Sequence, residues 1–435
     1  MASALRPLRI PAFPRLAVAS LVNELGNWLG EIALAILVFD QTGSPLATAA
    51  LFIGIHFLPA LAAPPLVTRL ERLPARASLP VLYALEAAAF GALAMLATDF
   101  LLVAVLVLAA IDGSLAAAAR ALTRATAAAA LKPAGLLRQG NAILNIGFTA
   151  AAAAGPALAG FVVAGSGVQT ALAADAISFL VVAAMLATAR ALPRATPESS
   201  GVLARLRQGF RYVRKNPLLR RLLGAQAVAF VFFAVVIPIE VVFAKESLDA
   251  GDAGYGALLT SWGVGMVLGS FAFAGLDRVS LPALLALSTM AIGVAYIGMA
   301  AAPTLLVACT AAAVGGTGNG VQWVALITSV QAVTSTAYQA RVLAMLEAIG
   351  SAMPGVGFVI GGAITSLLEP RAAFAVAGAG VLAVLVWAVS MLRHADWRAA
   401  ADEVAAEREA DSNDAGGEPS APSPRTPPSG ALPSH

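Results

Sequence analysis

Long apolar runs recur along almost the whole of this sequence, and they constrain its fold more than any other feature. A helix needs about 20 apolar residues to cross the hydrocarbon core of a bilayer. Charged residues make up only 12% of the chain, whereas soluble domains carry about 25%. The sequence therefore predicts an all-α membrane protein with about twelve spans, since backbone groups in lipid must be satisfied within each segment. The predicted spans are residues 13–39, 46–67, 78–97, 100–121, 141–164, 168–190, 218–241, 254–275, 281–300, 303–328, 341–366 and 371–392.

The lysines and arginines are segregated along the chain. With the N-terminus placed in the cytoplasm, every Lys and Arg except Lys245 and Arg371 falls in a segment on the cytoplasmic side. Membrane proteins concentrate positive charge on that side, so the pattern predicts the orientation, with both termini cytoplasmic. Abundant alanine and scarce lysine favour a bacterial protein of the inner membrane. The pI of about 9.3 then reflects orientation in the bilayer rather than nucleic-acid binding.

The predicted spans divide into two groups of six. We expect an N-terminal six-helix bundle, a cytoplasmic basic amphipathic linker, a C-terminal six-helix bundle and a largely disordered cytoplasmic tail, at residues 1–190, 191–217, 218–393 and 394–435. Related short motifs occur at corresponding places in both groups. Glu71-Arg72 ends the second span and Asp277-Arg278 ends the eighth. This repetition predicts two pseudo-symmetric bundles around a central cavity.

Several motifs stand in a fixed order along the chain. They are Leu25-Gly26-Asn27-Trp28 followed by Thr42-Gly43-Ser44-Pro45, the loop from Val67 through Glu71-Arg72 to Arg76, Gly155-Pro156 with Gly160, and Leu206-Arg207-Gln208-Gly209-Phe210-Arg211-Tyr212-Val213. In this order the sequence resembles the major facilitator superfamily over residues 13–392, in particular its bacterial drug-efflux and enterobactin-exporter-like branch. The loop departs from the family pattern in having Val67 at the usual glycine and Glu71 at the usual aspartate.

The resemblance implies a secondary active transporter. Such a protein would export a small amphiphilic molecule, of the drug or siderophore class, by proton antiport with rocker-switch alternating access. It further implies that the loops between paired helices act as gates and that the fifth-span glycines and proline allow helix bending. The gating-loop candidates are Glu71, Arg72, Arg76, Asp277 and Arg278, and the helix-bending motif is Gly155, Pro156 and Gly160.

Polar residues form a stripe on the first predicted span. At helical spacing they fall within an arc of about 100°, and they are Ser20, Asn23, Glu24, Asn27 and Glu31. A charged side chain is costly in lipid, so the stripe should face a cavity between the two halves. Removal from water favours the neutral form of a carboxyl group, which makes Glu24 and Glu31 candidates for proton coupling. The alternative is a structural, hydrogen-bonded role for both.

Other polar residues occur at membrane depth. Asn141 with Asn145 and Asn319 with Gln322 are spaced to share a helix face, and they are candidates either for lining the cavity or for helix packing. Glu86, Asp112 and Glu347 have either a direct role in transport or hydrogen bonds between helices. We expect Asp175 and His56 to have structural roles.

No motif in the sequence indicates enzymatic chemistry. The glycines of residues 315–320 lie inside an apolar span, so they predict helix packing rather than a nucleotide site. The single cysteine and the three separated histidines give no disulfide and no metal-ligand spacing. We predict no cofactor, no metal and no nucleic-acid partner. The expected partners are a small-molecule substrate, a proton and the lipid bilayer, and the expected state is a monomer. Alternatives are an importer or lipid-moving facilitator of the same fold, or a membrane sensor, enzyme or scaffold that transports nothing.

Overall fold

The computed structural model describes residues 5–70, 73–189, 192–193, 202–276, 278–335, 338–392 and 404. Those residues are helical or lie in connecting segments, and they contain no strand. Ten of the described helices are long and apolar enough to cross a membrane. One of the ten, Leu137–Ala187, holds two helices that meet at Gly167, and Leu305–Ala332 completes a set of twelve.

The twelve helices follow the predicted spans in order. They are α1 (Phe13–Thr42), α2 (Pro45–Leu70), α3 (Ala75–Leu96), α4 (Leu102–Leu131), α5 (137–166), α6 (168–187), α7 (Pro217–Ser247), α8 (Gly251–Phe273), α9 (Leu281–Ala301), α10 (Leu305–Ala332), α11 (Gln339–Leu367) and α12 (Pro370–Leu392). This confirms the predicted all-α fold with two six-helix bundles.

Local sequence explains where several helices begin and end. Gly43 follows α1 with a φ of 58°, which a residue without a Cβ adopts readily. Ser44 then caps α2, because its side chain accepts a hydrogen bond from the Ala47 amide. Asn216 caps α7 in the same way. Gly167, with a φ of 80°, separates α5 from α6.

Two helices extend further than the sequence predicts. The fourth span was expected to end at residue 121, but α4 continues to Leu131, because alanine-rich sequence sustains a helix beyond the apolar run. The seventh was expected to end at residue 241, but α7 continues to Ser247 through a 3₁₀ turn and a π turn. The extension of α7 carries Lys245 to a contact between the two halves.

The two bundles touch at one end of the molecule. We call the end that carries Arg76, Arg138 and Arg278 the basic end, and the other the opposite end. Toward the opposite end, a Cβ on Gly160 of α5 would lie 2.8 Å from the Gly256 Cα of α8. Such close approach of backbones requires small residues.

A further contact between the halves joins α2 and α11. Helix α11 packs extensively against Pro45–Phe52 and only slightly against Leu58–Leu70, which is nearer the basic end. The halves therefore diverge toward the basic end.

A separate helix, Val202–Lys215, lies in the predicted linker. It packs on the C-terminal half, where the ring of Tyr212 stacks on that of Tyr338 with 4.4 Å between centroids. The backbone N–H of Ser335 also donates to the Tyr212 hydroxyl. Residues 71, 72 and 277 of the predicted gating loops, and almost all of the predicted tail, lie outside the described residues.

Candidate functional site

Glu31 lies where the two halves of the molecule meet. Its Oε2 atom is 3.2 Å from Nε2 of His56 on α2. The His56 side chain is 41% exposed and the Glu31 side chain 18% exposed, so neither side chain of the pair is fully buried. The ring of His56 packs beside the rings of Phe52 of its own helix and Phe358 of α11, with centroids 5.9 and 6.0 Å away. Residues of both halves therefore surround the contact between Glu31 and His56.

Glu240 faces the same place from the C-terminal half. Glu240 is only 9% exposed, and α1 packs against the segment Glu240–Val242. Its carboxylate is close enough to Glu31 to interact electrostatically, and the buried Tyr255 is close to both. Glu240 was not among the predicted site residues, because a single acid near a predicted span boundary looks like the end of a helix. The available signal was that the apolar run continues past it to residue 244.

A second set of charges joins the halves at the opposite end. Lys245 of α7 lies 2.5 Å from Asp40 of α1 and 2.6 Å from Asp252 of α8. Lys245 was an exception to the predicted charge segregation, and its two carboxylate partners explain how it is accommodated. Its bond to Asp40 holds α1 to the C-terminal half.

Glu24 lies deeper within the N-terminal half. Its Oε1 atom is 3.1 Å from Nε of Arg120 on α4, and its side chain is 6% exposed. Arg120 was expected in a cytoplasmic segment, but it lies within the extended α4. The Asn23 side chain is also buried, and its amide donates to Glu86 of α3 at 3.2 Å. Asn23 and Glu24 therefore contact other helices of their own bundle, and the expectation that the first-span stripe faces a passage stays a prediction.

Three further carboxyl groups come together inside the N-terminal half. Glu86, Asp112 and Asp175 are buried on α3, α4 and α6, and they lie within electrostatic range of one another. Gly26 of α1 packs against Asp175, because a Cβ there would meet its carboxylate. These residues are isolated along the chain, so a single sequence could not show that they meet. The described residues hold no group of three or more His, Cys, Asp or Glu placed to bind a metal ion.

The remaining predicted residues occupy varied positions. Ser20 and Asn27 are half-buried, and Asn27 donates to the Asn23 side chain at 3.3 Å. Five other candidates are exposed, namely Asn141, Asn145, Arg76, Arg278 and Glu347. Two candidates on α10 are half-buried, namely Asn319 and Gln322. Glu71, Arg72 and Asp277 lie outside the described residues.

The predicted helix-bending motif lies at the contact between halves. Helix α5 continues without a break through Pro156. A Cβ on Gly155 would lie 2.8 Å from the Trp28 ring of α1, and Gly160 packs on Gly256. Gly155 therefore allows α5 to pack closely on α1 of its own bundle, and Gly160 allows it to pack closely on α8 of the other bundle.

Asn319 and Gln322 line a cavity inside the C-terminal half. Phe230, Phe233 and Trp323 form much of its wall. The amide of Gln322 also donates to the Thr289 hydroxyl at 2.7 Å. The cavity has a volume of about 40 Å³, far below the roughly 300–1,000 Å³ of small-molecule pockets, so in this conformation it has room only for a few water molecules.

Comparison with known proteins places this arrangement in a family. Residues 2–410 match the family described as transmembrane secretion effector. No curated protein matches the sequence. The nucleoside transporter NupG has a similar structure, with a TM-score of 0.70 at 14% identity, covering 88% of this chain and 99% of that one.

Two further transporter structures are also similar. One is a bacterial homologue of the human lysosomal transporter Spinster in an inward-facing, unoccupied conformation, with a TM-score of 0.61 at 14% identity, covering 92% of this chain and 98% of that one. The other is a D-xylose–proton symporter, with a TM-score of 0.58 at 16% identity, covering 85% and 96%. At these identities the likeness establishes the fold alone. With the family match over most of the chain, the conclusion is that this multi-pass membrane protein belongs to the transmembrane secretion effector family of major facilitator transporters.

Proposed function

We propose that this transporter exports a small amphiphilic molecule, of the drug or siderophore class, in exchange for protons. The observation that carries the proposal is the contact between Glu31 and His56 at the junction of the halves, with Glu240 facing it. Charged groups inside a membrane bundle commonly mark proton or substrate pathways. The family's description as a secretion effector favours export over import.

The junction supplies a physical link between proton binding and conformation. When the halves close at the opposite end, the carboxylates of Glu31 and Glu240 approach each other. Two ionised carboxylates would repel across this low-dielectric junction, and a proton on either removes the repulsion. Proton binding therefore favours closure at the opposite end and opening at the basic end. The exposed side of His56 gives the proton a route to water.

This coupling has the direction that an exporter needs. The basic end is proposed to face the cytoplasm of a bacterium, with both termini on that side. A proton bound from outside would close the outer end and be released inside. Cargo bound from the cytoplasm would then favour the reverse movement, and substrate binding shifts such an equilibrium by its differential affinity for the two states.

The substrate class rests on the resemblance to drug and siderophore exporters, with support from the side chains of the C-terminal cavity, which must widen to admit such a molecule. The aromatic wall of this cavity suits an apolar body, and the amides of Gln226, Asn319 and Gln322 can orient a few polar atoms. We therefore favour an amphiphile over a sugar, which would need many more hydrogen-bonding groups.

Transport in everted membrane vesicles tests the proposal. With an acidic lumen, the wild type should accumulate a fluorescent lipophilic cation such as ethidium. Glu31→Gln and Glu240→Gln should abolish accumulation driven by the pH gradient while leaving probe exchange at equal pH intact. Glu369→Gln, which changes an exposed carboxylate at the opposite end, is the matched control and should behave as wild type. Full pH-driven accumulation in both junction variants would reject the proposal.

Import is the alternative direction for the same fold. Whole cells that express the protein would then gain the probe instead of losing it, which separates the two directions.

A further inference from the structure

A second cavity lies in the C-terminal half, between α7, α9, α10 and α12. We propose that it binds an acyl chain of an anionic phospholipid from the adjoining leaflet, with the headgroup held at Arg221 and Arg278. This inference is independent of the coupling role of Glu31, because it concerns a different place in the molecule.

The cavity is large enough for an organic ligand. Its volume is about 400 Å³, within the range of small-molecule sites. Small residues on facing helices leave this space, and they are Ala225, Ala229, Ala283, Ala286 and Ala388. Larger apolar side chains, including Leu222, Leu285 and Leu385, complete the wall.

The chemistry of the wall favours a hydrocarbon occupant. Gln226, Ser280, Thr289 and Gln322 are its polar residues. Of these, Gln322 already donates its amide to Thr289 at 2.7 Å, so part of the polar capacity is used. Ordered water needs two to four polar partners, which much of this wall does not offer. An acyl chain from the surrounding bilayer meets no such requirement.

The mouth of the cavity lies at the basic end. Ser280, one residue before α9, and Val389, close to the end of α12, are exposed there. The side chain of Arg221 reaches from α7 toward α12, where Nη1 donates to the Met391 carbonyl at 3.3 Å. Arg278 is exposed two residues before Ser280.

These two arginines give the mouth a charge that complements an anionic headgroup. A guanidinium binds phosphate through paired hydrogen bonds, and it retains several donors when one is used by a carbonyl. Basic groups at the membrane surface attract anionic lipids. An apolar cavity below a basic rim therefore matches a phospholipid, with its chain inside and its phosphate at the surface.

The inner end of the cavity adjoins the aromatic cavity already described. Gln226, Ala229 and Gln322 line both. A bound chain would end against the Gln322–Thr289 hydrogen bond, which stands between the two spaces.

Native mass spectrometry of the purified full chain tests the site with two probes, dipalmitoyl phosphatidylglycerol and dipalmitoyl phosphatidylcholine. We expect the wild type to retain phosphatidylglycerol preferentially. Ala286→Trp, which fills the cavity, should abolish that retention, whereas Ala88→Trp on an exposed face of α3 should not. Arg221→Gln should weaken phosphatidylglycerol binding about tenfold, the loss of one charged hydrogen-bonding partner. Arg138→Gln, an exposed arginine of the N-terminal half, is the matched control. Equal retention of both lipids, or no effect of Arg221→Gln, would overturn the proposal.

A measurement on the unaltered protein avoids any question of variant folding. Phosphatidylglycerol with a photoreactive diazirine near the chain end should crosslink to residues that line the cavity, namely Ala283, Ala286, Thr289, Val384, Leu385 and Ala388. Crosslinks confined to exposed lipid-facing residues such as Val386 and Phe271 would show annular lipid only and would reject the site. Crosslinks of a diazirine-bearing lipophilic cation here, without those of the lipid, would show a substrate passage instead and would also overturn it.

Discussion

The two halves of this transporter share a six-helix plan but have different interiors. Among the described residues, the N-terminal half buries the acids Glu24, Glu86, Asp112 and Asp175. The C-terminal half buries one acid, Glu240, which faces the junction with the other half.

In place of charge, the interior of the C-terminal half holds aromatic rings, glycines and cavities. Trp262 stacks on Tyr296 with 5.4 Å between centroids, and Phe233 packs on both. The difference suggests that one bundle is held together around ionisable groups and the other provides space for apolar molecules. The junction is where these two properties meet.

The largest expected effect comes from the glycine packing of the C-terminal half. A Cβ on Gly320 of α10 would lie 2.8 Å from the Ser270 backbone nitrogen of α8 and closer still to the Met266 carbonyl. Gly320→Val should therefore lower the free energy of unfolding by at least about 3 kcal/mol, since overpacking against backbone cannot relax. Thermal unfolding in detergent measures this.

Gly91 of α3 provides the matched control for that substitution. A Cβ there meets nothing within 4 Å, so Gly91→Val should leave the melting temperature nearly unchanged. A similar loss of melting temperature in both variants would show that the two halves do not differ in packing as described.

The next effect concerns the buried ion pair of the N-terminal half. Glu24→Gln leaves Arg120 without its carboxylate, and we expect a loss of about 2 kcal/mol, below the range for fully buried pairs. The reduction reflects the Arg120 side chain, which is 39% exposed and therefore partly hydrated. Denaturant unfolding of the purified protein gives the value.

A double variant separates the effect of losing the Glu24–Arg120 charge pair from the effect of changing the two side chains. Glu24→Gln with Arg120→Gln should recover much of the loss, because no charge is left unpaired. Additive losses from the two single variants would mean that the pair contributes nothing as a pair.

A smaller effect is expected at the contact that joins the halves. Lys245→Gln removes the bond to Asp40 and should weaken closure of the opposite end by about 1 kcal/mol, as for other partly exposed pairs. A cysteine placed at the buried Thr48, in a Cys309→Ser background, should then react about fivefold faster with a membrane-impermeant maleimide. Glu246→Gln, which changes an exposed neighbour, is the control and should leave the reaction rate unchanged. An unchanged rate in Lys245→Gln would show that its contact with Asp40 has no role in closure.

The sequence predicted the helices better than it predicted their contacts. Hydropathy and charge distribution located twelve helices and the residue Glu31, because both signals are local. The partners His56 and Glu240 are non-local, and their proximity depends on how α2 and α7 pack against α1. Arg120 was assigned to a cytoplasmic segment because apolarity falls before the helix ends. Polar pairing across helices was therefore the part that a single sequence could not supply.

The central claim is that a proton at the Glu31–Glu240 junction favours closure of the opposite end. Spin labels at Asp99→Cys and Pro303→Cys, in a Cys309→Ser background, would report the distance between equivalent loops of the two halves. Lowering the pH from about 8 to about 6, a step across neutrality, should increase the population with the shorter distance. Glu31→Gln should show that short distance at both pH values. A distance distribution in the wild type that does not change with pH would contradict the account.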